Sequence, residues 1–476
     1  MTEAGPRRLP AVVAIAGLLI LAAAVERRAG PSREATPRPA GVLAPPASAT
    51  STAWYCTGAT AQAKGGPADG TLVVANLGRR RLTGQVTVFP SQGQARSVPL
   101  GVDPSTRALV RLGDVTAAPF ASATVELDGG QVVVEQVVRG PAGESVAPCA
   151  TAPSPTWYFA DGATSKDASE TLSVFNPFPE DALVDLSFST EEGRTTPQDL
   201  TGVAVPGGSM LAVNVGDHVH RRDAVSTEVR ARVGRLVVDR LQGFDGSAGR
   251  KGLSLALGLP ALGPIWYLPE GLVADGLTER YHVFNPTDRE QHVEVALSLE
   301  SGDAEPMELT VPPEARVTVE ANAESRIPKN VPHAVVVRAP DGPGVVVERT
   351  VESKPPSPRL GLAITPAAPA LARRWGFAAG SPDSAVEEWV VFQNPGPRPA
   401  RVSVTGLADG QPVPVSGLQD VSVGAGRRMG VRVDNLLPRP GTPVVVTATV
   451  PIVVERDLYR TKALGTAMVT GIPLLP

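Results

Sequence analysis

The chain has 476 residues and a formal net charge of −4, which excludes a strongly basic nucleic-acid binder and a strongly acidic solvating tail. Gly and Pro number 48 each, a composition rich in turns and hostile to long helices, and no Gly-X-Y period marks a collagen. Hydrophobic residues reach 42% but aromatics only 4%, so cores must be built from Val, Leu and Ala, over about three domains at ~150 residues each.

Residues 1–28 read as a signal or membrane anchor. Arg7 and Arg8 precede an uncharged run from Leu9 to Val25, long enough as a helix to span roughly 25 Å. Retention gives a single-pass membrane protein with the remainder outside the cytoplasm. Cleavage at the small residues Ala22-Ala23-Ala24 gives a secreted one. Residues 29–53 are Pro-, Ala-, Ser- and Thr-rich, the composition of a semi-extended linker.

From residue 54 onward one unit recurs four times, over 54–156, 157–265, 266–374 and 375–476. Each copy opens on a tryptophan: Trp54, Trp157, Trp266 and Trp375. A glycine follows four or five residues on, at Gly58, Gly162, Gly271 and Gly380. A short apolar run then ends in asparagine, at Asn76, Asn176, Asn285 and Asn394, followed by proline in the last three copies. A turn follows at Val102-Asp103-Pro104, Val205-Pro206-Gly207, Val311-Pro312-Pro313 and Val423-Gly424-Ala425. Each copy closes on a valine run reaching a carboxylate: Glu135, Asp239, Glu348 and Glu455. The next residues are Gln136, Arg240, Arg349 and Arg456.

Within a copy the pattern is β. In the second, Thr171–Phe175, Leu183–Phe188, Leu211–Val215, Val229–Val233 and Leu236–Leu241 alternate apolar with polar residues, with turn residues between. The expected fold is all-β: four tandem immunoglobulin-like β-sandwiches in a rod or compact array, each of about 100 residues. The alternative is a β-propeller with half-copies as blades, disfavoured because the halves of a copy differ. The tryptophans read as core plugs and the asparagines as strand exits, where Asn can bond its own following backbone. Carbohydrate stacking by the tryptophans is the functional alternative.

Trp157-Tyr-Phe-Ala-Asp-Gly162, with Ser173-Val-Phe-Asn-Pro177 and a valine run ending in Glu/Asp-Arg, resembles the WYFAEG-like repeats of exported actinobacterial envelope proteins. One such group is a family of unknown function. The resemblance covers residues 54–476 and implies an exported β-rich protein, with no substrate and no catalytic residue. Copy one departs at Leu77 and at its cysteines, and copy four at Gly376.

The two cysteines, Cys56 and Cys149, both fall in copy one, and export predicts that they form a disulfide. Closing so long a loop is worth up to ~4.7 kcal/mol in the chain-entropy model. His218-x-His220, and His282 with His292, are the two conceivable metal pairs, and the expectation is that neither binds a metal. No Gly-x-Ser-x-Gly elbow, phosphate loop, His-Glu-x-x-His or dinucleotide fingerprint appears. Neither catalytic residues nor a cofactor are expected.

The four carboxylates read as structural. A paired active site needs two different environments, whereas one local context recurs four times. Each carboxylate is expected to accept N–H bonds from a turn, such as that around the repeated Trp and Gly. The functional expectation is a non-enzymatic, membrane-tethered, extracytoplasmic scaffold of the bacterial envelope, structural or interacting with envelope proteins. The alternative is a cell-wall polysaccharide or peptidoglycan binding module, and the lesser alternative an envelope hydrolase. No nucleic-acid partner is expected.

Overall fold

The computed structural model describes residues 41–62, 65–300, 302, 304–381, 383–461 and 463–475. The expected signal or anchor, and the linker up to residue 40, lie outside the described residues. Among the described residues no helix is long and apolar enough to cross a membrane.

The fold is all-β and almost wholly antiparallel, and each copy has two layers of strands. The layers are separate sheets in copies two and three. They are joined in copy one by a short parallel contact of Thr52–Ala61 with Asp69–Asn76, and in copy four by the long strand Val444–Arg460. In copy two the first sheet runs Ser209–Asn214, Ala168–Asn176, Val237–Asp245, Lys251–Leu257. The second runs Gly193–Thr195, Ala182–Thr190, Val225–Val233, Thr156–Phe159, with Val203–Val205 added to Ala182–Thr190. The sheets share a core: in copy three Trp266, Val293 and Val337 from one meet Tyr281, Val283 and Val346 from the other. The β-branched pattern dictates this, because alternate residues of each strand point to one face.

The last strand of the first sheet lies at the centre of the molecule in every copy: Gly143–Pro148, Lys251–Leu257, Gly361–Pro366 and Thr466–Thr470. Each of these axial strands packs on the next, and the fourth packs on the first. The sheet that carries them is here the axial sheet, and the sheet with the tryptophan strand is the flanking sheet. Thr52–Ala61 of copy one packs on Val237–Asp245 of copy two, Thr156–Phe159 on Val346–Ser353, and Ala372–Phe377 on Val132–Gly140. The four copies therefore form a closed ring arranged like a four-bladed propeller.

Of the two arrays expected, the compact one forms and the rod does not. The propeller alternative is corrected in its unit, because the blade is a whole copy, not half of one. The cause is legible in the carboxylate strand: Val132 to Val138 is buried at every residue, hence on both faces. Such a strand needs a neighbour on each side. A rod leaves one such face bare at its end, and a ring leaves none.

Small residues let the axial strands meet. Ser145, Ser254, Ala363 and Ala467 occupy one level and are all buried. Ser145 Oγ accepts the Leu255 N–H at 3.0 Å and Ser254 Oγ accepts the Ile364 N–H at 2.9 Å, so neighbouring copies are tied at the axis. At one end Gly361 has φ +134°, and a Cβ there would lie 3.3 Å from the Gly465 nitrogen, so the position requires glycine. The segment expected as linker joins the ring before residue 53. Ala44 is fully buried and bridges Leu474, and Thr52 begins the first strand.

Candidate functional site

The repeated polar residues converge on the junctions between copies. Neighbouring residues on a strand point to opposite faces, so the carboxylate and the following Arg cannot serve each other. Arg240 of copy two meets Glu348 of copy three at 2.9 Å, and Arg456 of copy four meets Glu135 of copy one at 2.9 Å. Arg349 pairs with Glu455 in the same way. All six side chains are 0–1% exposed.

Among the described residues Glu348 and Glu135, though not Glu455, also accept backbone donors from the tryptophan segment of the preceding copy. Glu348 accepts the Asp161 N–H at 2.7 Å, and Glu135 accepts those of Ala378 and Ala379 at 2.9 and 2.6 Å. Arg240 and Arg349 donate to the carbonyls of Asp161 and Glu270 in their own copies. One bracket thus closes each of three junctions, including the seam between the last copy and the first.

The fourth junction, between copies one and two, is built otherwise. Gln136 replaces the Arg and bonds the Thr57 carbonyl at 2.6 Å, while Asp239 replaces the Glu. Asp239 is fully enclosed with no cation among the described residues, and burial pushes its pKa well above the carboxylate range against the pull of a backbone hydrogen bond from Thr57. Apolar contacts fill the space: Phe89 and Phe175 pack with centroids 5.0 Å apart and planes tilted by 49°, and Tyr55 and Phe120 pack on the core of copy two. The disulfide Cys56–Cys149 forms here, with Cα atoms 4.7 Å apart. It stands where copies two and four set a phenylalanine on a glycine. A Cβ on Gly258 would come within 2.8 Å of Phe159, and one on Gly471 within 2.6 Å of Phe377. Those two rings also carry Arg240 and Arg456, at 5.1 and 4.8 Å.

Each ionic junction holds a second buried acid six residues before the asparagine: Glu170, Glu279 and Glu388. Copy one has Gly70 there. Glu170 has no hydrogen-bond partner on either oxygen. Burial first, then the charges of Asp161 and Glu348, drive its pKa to about 8 against the pull of Arg240. Glu279 accepts from Tyr281 at 2.9 Å and lies 3.3 Å from His333. Burial opposes ionisation of Asp161, but His282, Arg316 and Arg240 outweigh it and its pKa lies below the usual range. Burial also pushes His282 down to about 3, so near neutrality the two arginines carry the counter-charge.

The tryptophans Trp54, Trp157, Trp266 and Trp375 are 0–1% exposed, which leaves no ring face for a sugar. Trp157 Nε1 donates to Leu236 O at 2.8 Å and Trp266 Nε1 to Val345 O at 3.0 Å. The asparagines repeat one device. Asn76 donates to Arg80 O and Val102 O at 2.8 and 3.0 Å, and accepts the Gly78 N–H at 2.9 Å. Asn176, Asn285 and Asn394 bond Val205, Val311 and Val423 likewise. Two sequence motifs are thereby halves of one contact.

The histidine pairs are not brought together. His282 is buried beside Asp161, while His292 is exposed on the other sheet. His218 faces Asp199 at 2.9 Å and His220 is exposed. Among the described residues no group of His, Cys, Asp or Glu can hold a metal ion. The second acids escaped the sequence reading, although their fixed distance from the asparagine was a usable signal.

No family model and no curated protein matches the chain. Among solved structures, "Crystal Structure of Thermotoga maritima 1070" aligns at 16% identity over 22% of this chain and 93% of that chain, with a TM-score of 0.21. A tetra-tandem repeat in the extending region of a large adhesion protein aligns at 10% identity over 87% of this chain and 96% of that one, with a TM-score of 0.11. A Streptomyces avermitilis alpha-L-rhamnosidase complexed with L-rhamnose aligns at 10% identity over 83% and 55%, with a TM-score of 0.12. Likenesses at these scores carry no functional information.

Proposed function

We propose that this chain is a non-enzymatic, extracytoplasmic scaffold of the bacterial envelope, tethered through its N-terminal segment and related to the actinobacterial WYFAEG-repeat proteins. Each copy is read as an immunoglobulin-like sandwich in size. One observation carries the proposal: the repeated carboxylates and arginines that could do chemistry are buried in brackets between copies. Glu170, whose raised pKa would suit a general acid, is completely enclosed and out of reach of a substrate. The disulfide favours an oxidising compartment.

Protease added to intact protoplasts tests the placement. Digestion of the ring-forming residues in intact cells is expected, and protection until lysis would contradict it. Incubating the full chain with peptidoglycan and wall glycans tests the absence of catalysis. Released sugars or peptides that vanish in Glu170→Gln would overturn the scaffold reading.

A further inference from the structure

The axial hairpins of copies two and three, at residues 245–251 and 353–361, flank a small cleft at the glycine-lined end of the ring. Phe244, Arg250, Lys251, Ser353, Lys354 and Leu362 line it, with Thr278 and Glu352 at its side. The acids near it have partners. Glu352 is paired with Arg280 at 2.9 Å, and Arg250 holds Asp167 at 3.2 Å while stacking on Phe244 at 4.0 Å. Lys251 and Lys354 are exposed. Lys251 faces Asp245 across the strand pair and helps hold its carboxyl below the usual range, while the Asp245 carboxylate also accepts the Ser247 N–H at 2.7 Å. The chain has only six lysines against thirty-eight arginines, and this cleft holds two of them. Ser353, 6% exposed, forms part of the wall, and its hydroxyl has no hydrogen-bond partner among the described residues. An enclosed hydroxyl is normally satisfied, so a missing partner here points to a ligand group.

We propose that this cleft is a binding site for a phosphate group, free or carried as a phosphodiester on a polymer. Two lysine ammoniums with rotatable donors suit a tetrahedral oxyanion approached from two sides. Arg250, already paired with Asp167 at 3.2 Å and Asp223 at 3.7 Å, adds little field, and the Ser353 hydroxyl supplies a neutral donor. The site is independent of the envelope reading and would stand if that reading failed.

Isothermal titration calorimetry of the full 476-residue chain tests it, with inorganic phosphate, a glycerol-phosphate oligomer and uncharged dextran as probes. Phosphate and the oligomer should bind, and binding should weaken as salt rises. Tighter binding of the oligomer assigns a polymer-borne group, and equal binding assigns the free anion. Lys251→Glu with Lys354→Glu should weaken both at least tenfold without lowering Tm, since both side chains are exposed. Ser353→Ala should weaken them about threefold. Lys329→Glu, whose lysine is paired with Asp275 at 2.7 Å, should leave binding unchanged. Absence of phosphate binding, equal binding of dextran, or unaltered affinity in the double lysine variant would overturn the proposal.

Discussion

The junction between copies one and two and the seam between copies four and one do the same job with opposite chemistry. The seam buries Arg456, Glu135 and Glu388, whereas the first junction has Gln136, Asp239 and Gly70 at the matching positions. A buried ion pair is often no more stabilising than a well-packed neutral contact, because desolvation offsets the attraction. It is unforgiving, however, when one partner is lost. At the first junction both members of the pair differ, with Gln136 in place of Arg and Asp239, its pKa raised by burial, in place of Glu, so neither side is left as an orphan charge. A disulfide and a tilted aromatic pair pack at this junction instead.

The largest expected effect comes from breaking one side of the contrast. Arg456→Met leaves Glu135 buried without its cation and should cost about 3–5 kcal/mol. Gln136→Met, at the equivalent position of the neutral junction, strands only the Thr57 carbonyl and should cost about 1–3 kcal/mol. Urea denaturation of both variants checks the difference, and equal losses would erase the distinction.

Next in size is the disulfide. Replacing Cys56 and Cys149 by alanine should lower stability by about 2–4 kcal/mol and act first on copy one. Hydrogen exchange resolved by copy checks this, with early exchange expected in strands of residues 52–148 and protection retained near Trp266.

The last effect is graded, spread over a pH window, and at any one step of a pH unit smaller than the two above. Burial holds the folded pKa of Glu170 at about 8, above the 4.5 of an unperturbed glutamate, so between these values the native state keeps a proton that the unfolded chain has released. Stability therefore falls as pH rises through that window, by at most about 1.4 kcal/mol per pH unit. Glu170→Gln should flatten this contribution. Asp239→Asn should do the same at the neutral junction, where the pKa is raised in the same direction. A slope unchanged in both variants would show that neither carboxyl is held protonated.

Much of this was legible in the sequence. Four copies, their β character, the cysteine pair and the asparagine turn all leave local signals, because turns and alternation are set by neighbouring residues. Ring closure is not local. Arg456 and Glu135 are 321 residues apart, and nothing in either copy names the partner. A clue did exist in the dipeptide itself: a carboxylate and an arginine side by side on a strand face opposite ways, so each needs a different neighbour. The exchange of Phe-on-Gly for a disulfide becomes visible only when Cys56 is set against Phe159 and Phe377, and Cys149 against Gly258 and Gly471. Glu170, Glu279 and Glu388 were hidden because their strands read as ordinary alternation, where a polar residue is expected to face water.

The most direct measurement is a pair of double-mutant cycles, Arg456→Met with Glu135→Gln and Gln136→Met with Asp239→Asn, read by urea denaturation of the full chain. A coupling of about 2 kcal/mol or more at the seam, with less than about 0.5 kcal/mol at the first junction, is the predicted result. Additive losses at the seam would contradict the claim that an ionic bracket between the first and last copies closes the ring.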